Sequence, residues 1–138
     1  MAGPLKYTVT HYRRKDRTHE EFLKWFVEEH LPLAMPIFKR HGVLEYTLFV
    51  TPEDLNGALK QELTKVRPTW DVADFDCFLE FTIPSAQTIK DVMSDPDWLN
   101  AIKDENEWCD MSRSLASLGY ATPYLLKTGE VVNLPKFK

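Results

Sequence analysis

Apolar and polar residues alternate over residues 5–14, with Leu5, Tyr7, Val9 and His11 on one side and Lys6, Thr8, Thr10 and Tyr12 on the other. This two-residue period predicts a strand. A charged turn, Arg13 to Arg17, follows. From Thr18 the period becomes helical, placing Phe22, Trp25, Phe26 and Leu33 near one face. Thr18 and Glu21 have the spacing of a capping box, in which each side chain satisfies a free backbone donor of the first turn. Pro32 cannot donate to the carbonyl of Glu28, so the helix is expected to end or kink near Leu31. Gly42 reads as its stop.

Residues 43–50 form a second predicted strand, with Leu44, Tyr46, Leu48 and Val50 on its more apolar face. Thr51-Pro52-Glu53-Asp54 is a helix-start signal with Thr51 as cap, and Leu55, Leu59 and Leu63 mark a short surface helix. The clearest alternation covers residues 75–83: Phe75, Cys77, Leu79, Phe81 and Ile83 oppose Asp74, Asp76, Phe78, Glu80 and Thr82. A helix from Ser85 is re-initiated at Asp95-Pro96-Asp97, with Trp98, Ile102, Glu105 and Cys109 on one stripe and Trp108 beside it. A last strand, 117–126, is broken by Pro123. Residues 127–138 have no period and are expected to be a tail that wraps a neighbouring subunit. The order is that of an α+β, ferredoxin-like βαββαβ sheet covered by helices on one face. Phe49 and Phe78 on the other face would leave an apolar patch, so a homodimer is expected. A pocket is expected between sheet and helices. No repeat or linker divides residues 1–138, which read as a single domain.

The chain has 138 residues, with 17 basic and 21 acidic side chains and a net charge of −4. With a pI near 5.6, this argues against a nucleic-acid partner. No apolar run approaches the ~20 residues that span a bilayer, so no membrane partner is expected. The N-terminal stretch lacks signal-peptide order, and two cysteines make no disulfide scaffold or zinc cluster. A cytoplasmic protein with reduced thiols is the expectation. No phosphate-binding, dinucleotide-binding or nucleophile-elbow motif is present, so no cofactor and no metal is expected.

His30, beside a helix break, ionises near neutral pH and can act as acid or base. The alternation sends His11 toward the helices and Tyr12 to the opposite face. Asp74 and Asp76 share a face with Phe78 and Glu80, where acids need water, a cation or a donor. His19, in a first helical turn, and the acidic run Asp104, Glu105, Glu107 and Asp110 read as solvated. His41 suits a helix C-terminus.

Three stretches together resemble the EthD-domain family of dimeric α+β barrels. Phe22, Trp25 and His30-Leu31-Pro32-Leu33 match its "F..W....H.PL" pattern. Asp74-Phe75-Asp76 resembles its "aDyD" strand, and SDPDWLNAIKDENEWCD its acidic helix. By position in these motifs, His30, Asp74 and Asp76 are its candidate functional residues. The segment from Pro52 to Trp70 resembles fungal members that tailor aromatic polyketides, including decarboxylases of atrochrysone-type acids. The resemblance implies a cofactor-independent decarboxylase of a polycyclic aromatic polyketide carboxylic acid. Phe26, Phe49, Phe78 and Trp108 would form the aromatic pocket, with His11, Asp74 and Glu80 as further contacts. Tyr12 or His30 would stabilise the enol, protonated His30 would deliver the proton, and Asp76 would orient His30 or a water. Dehydration, isomerisation, anthrone oxygenation, or plain binding of a hydrophobic intermediate are the alternatives.

Overall fold

The computed structural model describes residues 3–135. Strands β1 (Leu5–His11), β2 (Glu45–Val50), β3 (Cys77–Ile83) and β4 (Leu115–Tyr120) form one antiparallel sheet in the order β2-β3-β1-β4. With helices between β1 and β2 and between β3 and β4, this is the ferredoxin-like α+β arrangement. The two central strands are the most regularly alternating segments. Tyr7 pairs with Phe81 and Leu118, whereas its neighbour Thr8 pairs with Glu80 and Ser117. The first set faces the helices and the second lies on the open face.

Helix α1 (His19–Trp25) starts at the expected capping box: Thr18 Oγ1 accepts from the Glu21 amide, and Glu21 Oε1 accepts from the Thr18 amide. Near Leu31, where an end or a kink is expected, the chain stays helical but leaves the regular α pattern. Residues Phe26–His30 form a π-helical turn in which the Leu31 N–H reaches back to the Phe26 carbonyl, and α2 (Leu31–Arg40) continues from it. Pro32 has no N–H for a regular turn, and a wider turn accommodates that loss while the apolar face stays on the sheet. Gly42, at a φ of 80°, ends the rod as expected.

Helix α3 (Glu53–Val66) has no buried residue. Its cap is Pro52, not Thr51, whose hydroxyl instead donates to the Phe75 carbonyl at 2.6 Å. The acidic segment after β3 is three short helices: α4 (Gln87–Met93), α5 (Trp98–Ala101) and α6 (Glu105–Trp108). Asp95 fixes their position. Its carboxylate accepts from the Asp97 amide at 2.8 Å, from His41 Nε2 at 2.7 Å and from Arg40 Nε at 3.0 Å. β4 also ends earlier than expected. Beyond Pro123 the chain turns back on itself, with an isolated bridge between Leu125 and Val131. The expected tail is thus partly engaged with its own chain, and residues 136–138 lie outside the described residues.

The core lies between the rod and the sheet, with Phe22, Phe26, Ile37 and Cys77 wholly buried. The Asp95 clamp joins the end of α2 to the start of α5. The Asp97 amide first, then His41 and Arg40, hold the Asp95 carboxyl down at about 2. A depressed carboxyl pKa adds stability above its unfolded value, about 4, and loses it as pH falls through the folded value. Acid-unfolding curves followed by circular dichroism are therefore expected to lose that part of their pH dependence in Asp95→Asn.

Candidate active site

A cavity of about 370 Å³ opens between the sheet and the helices. Tyr7, Val9 and His11 of β1, Tyr46 of β2, and Leu79 and Phe81 of β3 form its floor. Phe38, Ile89, Val92, Trp98 and Ile102 close over it. Strand alternation sets this floor, because every second residue of three neighbouring strands points the same way.

The π-helical turn brings His30 to the wall. Its Nδ1 lies 3.0 Å from the Ala101 carbonyl. A carbonyl only accepts, so Nδ1 carries a proton. The ring packs against Phe26 at 4.8 Å and stacks on Trp25 at 5.6 Å. Burial lowers its pKa, partly offset by the Ala101 bond. Burial thus favours the neutral imidazole, in which Nε2 is free to act as a base. His11, directed inward as expected, lies 3.5 Å from Ser114 Oγ. Burial, and then nearby His30, push its pKa down to about 4.

Glu105 and Tyr46 are polar cavity residues that are not among the expected site residues. Glu105 sits in the cavity rather than on a solvated face, and desolvation raises its pKa. Its place on the stripe of Trp98, Ile102 and Cys109 was the signal: an acid on an otherwise apolar face. Tyr46 has a buried hydroxyl with no hydrogen-bond partner; burial, then Cys77, raise its pKa well above the ordinary phenol value. Among the described residues, His11, Glu105 and Cys109 bring one potential ligand atom each within 4.8 Å of one another. They could offer a divalent ion three donors. Burial foremost, then Glu105, hold the Cys109 thiol protonated, so that proton would have to be displaced first.

The other expected residues do not converge on the cavity. Phe26 is wholly buried beneath it, touching both imidazoles. Trp108 stacks on Trp25 at 5.6 Å, with the Arg17 guanidinium 4.0 Å from its centre. Phe49 and Phe78 lie on the open sheet face, paired across β2 and β3 and joined by Phe75. Even-numbered positions of β3 and odd-numbered positions of β2 share that face, which separates them from Phe26. Glu80 is there too, 3.1 Å from Lys6 Nζ. Tyr12 lies under the Arg113 guanidinium, which also meets Asp74 at 2.6 Å.

Asp76 precedes the first residue of β3 and leaves the alternation. It accepts from the Arg13 amide at 2.7 Å and from His19 Nδ1 at 2.8 Å, with Arg13 Nε at 3.3 Å. It therefore orients His19, not His30. His19 is correspondingly withdrawn from solvent, and its Nε2 is buried without a partner. This joint borders a second, polar cleft of about 400 Å³ lined by Arg13, Lys15, Lys60 and Arg113.

The EthD domain family matches residues 14–112. The chain is 33% identical to "Dehydratase iacD" of Pestalotiopsis fici over 132 residues, covering 96% of this chain and 95% of that one. It is 25% identical to "Decarboxylase nsrE" of Aspergillus novofumigatus, covering 94% and 84%. A similar fold occurs in SnoaB, described as a cofactor-independent oxygenase, from Streptomyces nogalater: TM-score 0.53, 11% identity, 88% and 96% covered. No helix among the described residues is long and apolar enough to cross a membrane.

Asp76 serves as a joint between β1, α1 and β3 rather than as a cavity group. Asp76→Asn is expected to cost about 2 kcal/mol in urea unfolding, the scale of a hydrogen bond to a charged group. Affinity for an aromatic ligand of the cavity should stay unchanged in calorimetric titration.

Proposed function

The chain belongs to the EthD-domain family, and on that premise we propose that it is a lyase that removes water from a hydroxylated polyketide ring ketone, with His30 as its catalytic base. The observation that carries this reading is the His30 geometry: Nδ1–H held by the Ala101 carbonyl in a cavity of mostly apolar walls, where burial favours the neutral ring. In such a site Nε2 takes the proton from the carbon beside the ketone. The electrons pass to the ketone oxygen, which accepts a hydrogen bond from Tyr7 or Tyr46. As the carbonyl re-forms, the carbon–oxygen bond to the β-hydroxyl breaks. His30 returns its proton to that hydroxyl, which leaves as water, and a carbon–carbon double bond remains. No external acid, oxidant or reductant is needed.

Relatives bear the names dehydratase and decarboxylase, and both reactions pass through an enolate. Two features favour water loss over loss of carbon dioxide. The relative sharing 33% identity is named a dehydratase, and among the described residues the cavity lining contains no lysine or arginine to receive a carboxylate.

Incubation of the purified protein with an aromatic-fused β-hydroxy ketone, followed by mass spectrometry, should show loss of water. Loss of carbon dioxide from a matching acid, or gain of oxygen, would replace this reading. His30→Ala should lower turnover by about 10²–10⁴-fold. A base works only when unprotonated, so kcat/KM should rise with pH and level off, with a midpoint below the ordinary histidine value of about 6.5. A rate that falls as pH rises through that range would make His30 an acid instead.

The same reading includes a homodimer formed through the open sheet face, where Phe49 is 57% exposed beside Phe75 and Phe78. Sedimentation at micromolar concentration should give a dimer. Phe49→Asp should shift it to monomer, because a charge there would be buried unpaired.

A further inference from the structure

We infer that Glu105 makes the cavity selective for uncharged ligands, so that it accepts a hydroxylated ring ketone or phenol and turns away the same ring bearing a carboxylate. This rests on the lyase reading of the cavity and narrows its substrate class.

The charges around the cavity carry the argument. Glu105 is the only carboxylate among the described residues that line it, and the lining contains no lysine or arginine. Lys103, two residues before Glu105, is exposed and is not among the lining residues, and the nearby arginines are committed elsewhere. Arg13 holds Asp76 and the Arg17 carbonyl, Arg17 lies over Trp108, and Arg113 lies over Tyr12 and against Asp74. Burial works against a positive charge on His30, whose Nδ1–H is already given to the Ala101 carbonyl. An entering carboxylate would lose its hydration to apolar walls and meet a like charge, with no cation to compensate. A ketone or phenol loses far less water, and its oxygen would give the Tyr46 hydroxyl the partner it lacks. Glu105 acts here as a specificity-determining residue and takes no part in moving protons.

The probes are 2-naphthol and 3-hydroxy-2-naphthoic acid, titrated calorimetrically into the intact protein at about pH 8, where the acid probe's carboxyl group is ionised. The naphthol is expected to bind at least about ten-fold more tightly, the least that like-charge contact in a poorly screened site should produce. In Glu105→Gln the two affinities should approach each other, and in Glu105→Lys the acid should bind more tightly. Each comparison is a ratio within one preparation, so partial loss of folded protein cancels. Equal or tighter binding of the acid by the wild type overturns the inference. So does a ratio unchanged in Glu105→Gln, or no binding of either probe. Selective binding with no water lost from any hydroxy ketone would remove the lyase reading and leave the selectivity standing.

Discussion

Pro32 has no backbone N–H, so a helix running through it cannot keep every turn closed. The chain meets this constraint by widening the preceding turn, with the Leu31 amide bonded to the Phe26 carbonyl. Much of the cavity follows from that one adjustment. Phe26, inside the wide turn, is wholly buried and packs against both His11 and His30. His30, at its end, reaches the Ala101 carbonyl, and that bond decides which ring nitrogen holds the proton. A regular helix would rotate His30 relative to the sheet, and a terminated one would lose the apolar face that continues through Ala34, Ile37 and Phe38.

The sheet then keeps two environments apart. Its inner face carries the apolar floor, with His11 and His30 at the cavity. Its open face carries the Lys6–Glu80 pair, the hydrogen-bonded Thr8 and Ser117 hydroxyls, and the Phe49, Phe75 and Phe78 cluster. Charges that would be costly beside the cavity are paired on the far side of the strands or at their ends, as at Asp76 with His19 and Arg13. Glu105 is the exception, an acid with no cation at hand to offset its burial.

This fold is shared with proteins named for different reactions, and a fold by itself does not choose among them. Elimination, decarboxylation and cofactor-free oxygenation all require an electron-rich carbon beside a carbonyl. A mostly apolar cavity with a buried imidazole and phenolic donors suits that shared need. The charge on the wall, rather than the base, is what separates neutral from acidic substrates.

Local patterns in the sequence determined the strands, their inner and outer faces, the capping box at Thr18 and the position of Gly42, because each depends on neighbours within a few residues. The family was legible for the same reason, since its motifs are short and local. His30 and His11 were legible as cavity candidates: one sits at a helix break and the other on the inward face of a strand. Tertiary structure alone decided the rest. Whether Pro32 ends a helix or widens it depends on what the helix packs against. Alternation already put Phe49 and Phe78 on the face away from the helices, and only the structure shows that the cavity above Phe26 does not reach that face. Asp76 left its strand's alternation to meet His19, a residue 57 positions away. Glu105 sat within an acidic run, yet the cavity side of α6 selected it alone from that run. Such contacts depend on distance in space, and the order of residues along the chain does not contain it.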